Sequence, residues 1–122
     1  MIKMVASDLD GTLLVNGSQS IPEEIFPLIK KLKDMGILFV AASGRQYANM
    51  RNLFAPVKDD MAFIGENGGL AIQNEKLLYC DSFDKKLVME IIEAIQEKKD
   101  AEFPVPQKIF IISCQKQSIT VI

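Results

Sequence analysis

A chain of 122 residues, 48% of them hydrophobic and 25% charged, has the length and balance of one globular domain with a real core. Its net charge of −2 leaves no basic stripe for nucleic acid, and no apolar run reaches the length a membrane span needs. Histidine is absent, which excludes Ser-His-Asp and Cys-His catalysis and every His-ligated metal, and leaves carboxylate chemistry with a hard cation.

The first predicted element is a strand. Ile2, Met4, Val5 and Ala6 form a short apolar run bounded by turn residues, the pattern of a buried strand in a parallel sheet. Asp8 falls at its carboxyl end, where open α/β sheets collect ligands, and Asp10 lies just beyond, where Gly11 and Thr12 turn the chain. On an extended backbone the two carboxylates share one side, and like charges that close need a cation or a shared proton. Mg²⁺ suits such a pair, because it takes oxygen ligands from one or two carboxylates and substrate phosphate. One carboxylate can attack phosphorus, and the other can protonate the leaving oxygen and later take a proton from water. A bare Asp-x-Asp-Gly also reads as a polar turn. The longer string Asp8-Leu9-Asp10-Gly11-Thr12-Leu13-Leu14 resembles the first motif of the haloacid dehalogenase superfamily, mostly Mg²⁺-dependent phosphohydrolases. The resemblance implies Asp8 as nucleophile and metal ligand, Asp10 as acid/base and metal ligand, and a phosphate-binding amide near Leu9.

Asn16-Gly17 is a strong hairpin signal, and residues 13 to 21 look like the small β-flap that follows the nucleophile strand in that superfamily. Pro22 suits the first position of a helix, with Glu23 and Glu24 at its positive end. Ile25, Leu28, Ile29, Leu32 and Met35 recur at three- and four-residue spacing as one buried stripe, and Gly36 reads as the C-terminal cap. Residues 37 to 42 form a second buried strand, ending at Ser43-Gly44-Arg45. Ser43 can hydrogen-bond a phosphate oxygen or merely cap a helix over residues 46 to 54. Arg45 can pair with phosphate through two N–H groups or form a surface ion pair. Ser-Gly-Arg resembles the superfamily's second motif, in particular the Thr-Gly-Arg form of the Cof-like sugar-phosphate phosphatases. That implies phosphate contact by Ser43 and the Gly44 amide.

Residues 61 to 65 make a third short strand, closed by Glu66-Asn67-Gly68-Gly69, which resembles the Glu-Asn-Gly-Ala stretch bordering the Cof-like active site. Asn67 is a candidate lining residue there, or the left-handed residue of a Gly-rich turn. Residues 70 to 73 and 76 to 80 flank a second hairpin turn at Asn74-Glu75. Beyond Ser82, Asp84 caps a helix whose face carries Leu87, Val88, Ile91, Ile92 and Ile95, ended by Lys98, Lys99 and Asp100. Prolines 104 and 106 predict an extended segment, and residues 108 to 113 and 118 to 122 look like strands.

The fold class expected is therefore α/β: a partial Rossmann-like core of three layers with a parallel sheet and β-flap, over residues 1–81. Residues 82–122 read as the incomplete start of an α/β cap. The motif resemblance ends near residue 103. The family's later Lys and Gly-Asp segment have no counterpart here, so the chain reads as the truncated nucleophile half of a phosphatase acting on small phosphorylated metabolites, weak or inactive alone. Its open sheet edge predicts a homodimer or aggregation. A non-catalytic α/β module that binds Mg²⁺ or phosphate, or self-associates, is the alternative. The two cysteines, Cys80 and Cys114, match no metal or redox spacing, and no signal-peptide pattern opens the chain, so a cytoplasmic location is expected.

Overall fold

The computed structural model describes residues 1–97, 110–113 and 118–121. The chain divides into two compact units, Met1–Asp81 and Ser82–Ile122. In the first, strands β1 (Met4–Ser7), β2 (Leu38–Ala42), β3 (Met61–Gly65), β4 (Leu70–Gln73) and β5 (Lys76–Cys80) form one sheet in that spatial order. β1, β2 and β3 run parallel, with Met4 opposite Leu38 and Phe39 opposite Met61. β4 and β5 add as antiparallel neighbours, so the sheet is mixed. A parallel pair needs a crossover, and helix α1 (Ile25–Asp34) and helix α2 (Tyr47–Leu53) supply the two required here.

Both helices bury residues on one face of the sheet. Ile29 of α1 and Met50 and Phe54 at α2 join Phe39, Ala41, Met61 and Phe63 in a single core cluster. These strand residues alternate along β2 and β3, as side chains on one face must. Phe54 sits at the centre, fully buried, with ring centroids 6.4 Å from Phe39 and 6.1 Å from Phe63. Leu9, Leu14 and Ile21 extend the cluster beneath the loop that follows β1.

Several local expectations meet a different outcome. Among the described residues β1 is an edge strand, paired with β2 alone, and Met4 and Val5 are exposed rather than buried. The Asn16-Gly17 turn forms, with φ of 55° and 73° and the Ser18 N–H donating to the Val15 carbonyl at 3.0 Å. Outside that turn, residues 13–21 hold one bridge residue, Leu14 opposite Asp10, and no strand. α1 begins at Ile25, three residues later than Pro22 suggests. Pro27 has no N–H to give to the Glu23 carbonyl, and that carbonyl instead accepts from Phe26 in a tighter turn. Along α1, Leu28 and Met35 turn to solvent, while Phe26 joins Ile25 and Leu32 against the core. Gly36, at φ 70°, ends the helix as expected: the Gly36 N–H donates to Lys33 and the Ile37 N–H to Leu32, the paired bonds of a Schellman motif.

In the second unit, helix α3 spans Lys85–Glu97. Asp84 caps it, Oδ1 accepting from the N–H groups of Lys86 at 2.9 Å and Leu87 at 3.3 Å. Of its apolar face, Ile92 is buried whereas Leu87 and Ile91 are exposed. Strands β6 (Phe110–Ser113) and β7 (Ser118–Val121) pair antiparallel. The extended stretch around residues 104 to 106 and the helix-ending Lys98 to Asp100 lie outside the described residues.

Candidate active site at the ends of β1, β2 and β3

Three loops leave the carboxyl ends of the three parallel strands, and their contacts with one another define the site. The first follows β1. Leu9 is fully buried, and its carbonyl accepts from the N–H groups of Thr12 at 3.1 Å and Leu14 at 2.7 Å. That anchor fixes the turn, while Asp8 and Asp10 on either side of Leu9 are exposed. Gly11 supplies the left-handed residue the turn requires, at φ 81°.

The second loop follows β2. The Ser43 N–H donates to the Ile64 carbonyl at 2.9 Å, continuing the β2–β3 ladder past the strand end. The Ser43 hydroxyl accepts from the Arg45 N–H at 3.2 Å, closing a local turn. It does not cap α2, whose N-cap residue Gln46 makes no side-chain cap bond. Ser43 Oγ therefore keeps its own proton to donate.

Arg45 joins the two loops. Its Nε and Nη2 donate to Asp10 Oδ2 and Oδ1 at 3.0 and 2.7 Å, a bidentate pair across 35 positions of sequence. Its Nη1 donates to Asn49 Oδ1 at 3.0 Å, one turn into α2. The ion pair that the sequence offers for Arg45 is formed, and its partner is the second carboxylate of the Asp motif. The Arg45 hydrogen bonds, more than its charge, hold the Asp10 carboxyl below the usual carboxylate range, and the same contact raises Arg45. Asn49 had no sequence signal; a polar residue on an exposed helix face is common, and only the fold shows its partner.

The third loop follows β3 and leans on the second. The Glu66 N–H donates to the Arg45 carbonyl at 3.1 Å. Glu66 and Asn67 both take φ of 54°, and Gly68 follows at 93°. This run of left-handed residues folds Asn67 back on Gly44: a β-carbon at Gly44 would lie 2.6 Å from Asn67 Oδ1. Gly44 is thus where the Asn67 side chain finds room. Glu66 Oε1 is buried with no hydrogen-bond partner among the described residues.

The structure thus brings Asp10, Ser43, Gly44, Arg45 and Asn67 into one chain of contacts, with Asp8 and Leu9 covalently adjacent. The donors fit Mg²⁺ in kind, being hard oxygens: the Asp8 carboxylate and the main-chain carbonyl of Asp10. The Asp10 carboxylate is engaged by Arg45, and among the described residues no cluster of three acidic, cysteine or histidine side chains could hold a metal.

Residues 5–119 match the model of the haloacid dehalogenase-like hydrolase family. That match runs past residue 103, where recognisable motifs stop. The chain is 30% identical over 117 residues to the 5-amino-6-(5-phospho-D-ribitylamino)uracil phosphatase YbjI of Escherichia coli, covering 96% of this chain and 40% of that one. It is 35% identical over 91 residues to phosphoglycolate phosphatase 1 of Saccharolobus solfataricus, covering 74% and 40%. Among solved structures, SMU.1108c from Streptococcus mutans superposes with a TM-score of 0.69 at 31% identity, over 93% of this chain and 40% of that one. The chain therefore spans about two fifths of the length of these relatives. No helix among the described residues is long and apolar enough to cross a membrane.

Proposed function

The chain belongs to the haloacid dehalogenase-like hydrolase family, and on that premise we propose that it is the nucleophile-bearing part of a Mg²⁺-dependent phosphatase of the Cof type. The substrates are small phosphorylated metabolites, sugar phosphates foremost, and the location is the cytoplasm. Residues 1–81 serve as core and 82–122 as the start of a cap.

The observation that carries this reading is the Arg45–Asp10 pair. It ties the loop of the two carboxylates to the loop of Ser43, although 35 positions separate them. A polar turn at Asp8–Gly11 would need no such partner.

In the first step an Asp8 carboxylate oxygen attacks phosphorus and the bond to the leaving alkoxide breaks; Asp10, ionised while both its oxygens accept from Arg45, gives that oxygen a proton once one of them has left Arg45 and been protonated. Ser43 Oγ–H and the Leu9 and Gly44 amides bind the equatorial oxygens, Arg45 adds positive charge, and Asn67 lines the pocket. In the second step Asp10 takes a proton from water, water attacks the aspartyl-phosphate, and Asp8 and inorganic phosphate are released. Asp8 and the Asp10 carbonyl would hold Mg²⁺, which would supply the charge that brings the anionic nucleophile and phosphate together. Phosphoryl transfer depends on positioned charge, and this set is small, so turnover by the isolated chain is slow.

Beryllium fluoride with Mg²⁺ mimics the aspartyl-phosphate and tests the assignment without requiring turnover. The expected result is a one-to-one adduct by ¹⁹F NMR that Asp8→Asn abolishes and Asp34→Asn does not. An adduct that survives in Asp8→Asn, or none at all in the parent chain, overturns the reading and leaves a non-catalytic module.

A further inference from the structure

Arg45 spends its donors in a particular way. A guanidinium has five N–H groups in one rigid plane. Two, on Nε and Nη2, go to Asp10, and one, on Nη1, goes to Asn49. One N–H remains on each terminal nitrogen. The plane is held at both ends, by a carboxylate on the β1 loop and by an amide oxygen on α2, so the two remaining donors have a fixed direction. Adjacent N–H groups on Nη1 and Nη2 are the geometry that receives two oxygens of a phosphate.

We propose that Asn49 is a positioning residue: with Asp10 it presets Arg45 as a phosphate receptor, so that one guanidinium contacts the phosphate and Asp10 at the same time. This rests on the phosphatase reading above and deepens it. The acid/base carboxylate and the phosphate are then registered through a single rigid group. Three observations favour phosphate as the anion. The Arg45 main-chain N–H contacts Ser43 Oγ at 3.2 Å, which brings a hydroxyl donor to the same loop. The Asp10 and Arg45 side chains are 58% and 24% exposed, so an anion can reach the pair. An anion can bind with the pair intact, because one N–H on Nη1 and one on Nη2 are left over. A surface ion pair of no consequence would have no use for the third bond. Asn49 is an exposed residue, and losing its amide leaves the core untouched.

The test is NMR of the full chain labelled with ¹⁵N-arginine, titrated with inorganic phosphate in the presence of Mg²⁺. In the parent chain the Arg45 Nη signals are expected to be slowed in rotation and to shift with phosphate, while Nε–H, bound to Asp10, stays in place. Asn49→Ala should free the Nη1 rotation and weaken phosphate roughly three- to tenfold, as expected for losing the orientation of charge-assisted hydrogen bonds. Asn49→Asp, which keeps an acceptor oxygen, should restore slow rotation. A merely structural Asn49 would alter thermal stability without moving either readout. If the Ser43 and Gly44 amides shift with phosphate while Arg45 does not, or if Asn49→Ala binds phosphate as the parent does, this inference falls and the phosphatase reading stands. If none of these groups responds, both fall.

Discussion

Gly44 and Gly65 sit where the loops after β2 and β3 touch, and a methyl group at each would meet different neighbours. At Gly44 the nearest atom is Asn67 Oδ1 at 2.6 Å, the end of an exposed, flexible side chain. At Gly65 it is the Arg45 carbonyl oxygen at 3.1 Å, with Met50 Sδ at 3.5 Å behind it. Gly44→Ala is therefore expected to push Asn67 aside, costing less than about 1 kcal/mol of stability while weakening phosphate binding. Gly65→Ala, pressing on backbone, should cost about 1–3 kcal/mol, the usual range for overpacking. Thermal unfolding and phosphate titration of the two variants separate these outcomes; equal losses of stability would show that the Asn67 contact is no softer than main chain. The residue types at the site were legible in the sequence, because Asp8, Asp10, Ser43 and Arg45 belong to short motifs at strand ends. Their pairing was not. That Arg45 pairs with Asp10 depends on a bond between residues 35 positions apart, which no local pattern encodes.

The β4–β5 hairpin shows how an element can be held in place by a residue that its own turn disfavours. Asn74 and Glu75 both have positive φ, 50° and 60°, as a two-residue turn with the right twist demands. Asn tolerates this and Glu does so poorly. Glu75 is kept there by tertiary partners: it pairs with Arg51 of α2, and Lys58 Nζ lies 3.8 Å from its Oε1. The Arg51 hydrogen bond first, then the charges of Arg51 and Lys58, hold the Glu75 carboxyl below its ordinary value. Because the folded pKa is depressed, this contact adds stability above the unfolded pKa of about 4.3 and loses it as pH falls through the folded value. Glu75→Gln should thus flatten the fall in melting temperature between about pH 5 and pH 3, a window set by that unfolded value. Melting curves across that range check it, and parallel curves for the two proteins would refute it. The same hairpin was readable beforehand from Asn-Glu between two apolar runs, as were β1 through β3 and the crossover helices. What periodicity left open was which apolar residues would be covered. Leu28 and Met35 keep the helical spacing of α1 and still face solvent, because burial depends on the neighbour a face meets.

The sheet of the first unit has two edges, and they are not equally open. β5 carries exposed Leu77, Leu78 and Tyr79, but a register shift between Ala71 and Ile72 interrupts its pairing with β4, and Lys76 stands at its start. Bulges and lysines are the devices that keep edges from pairing. β1 has neither within Met4–Ser7: it pairs in unbroken parallel register with β2, carries no charge, and exposes Met4 at 57% and Val5 at 37%. Among the described residues no strand pairs with its other side, where backbone groups lie beside apolar side chains, which is what a second strand needs. Homodimerisation through a sheet edge is therefore expected to run through β1. Sedimentation of the parent chain is expected to show an average mass that rises with concentration. Met4→Lys, which places a charge on the exposed face of the edge, should return it to a monomer with its melting temperature little changed. Leu78→Lys on β5 should leave association intact. A parent chain that sediments as a monomer throughout, or a Leu78→Lys variant that abolishes association where Met4→Lys does not, would show that the open edge of β1 is not the surface the molecule uses.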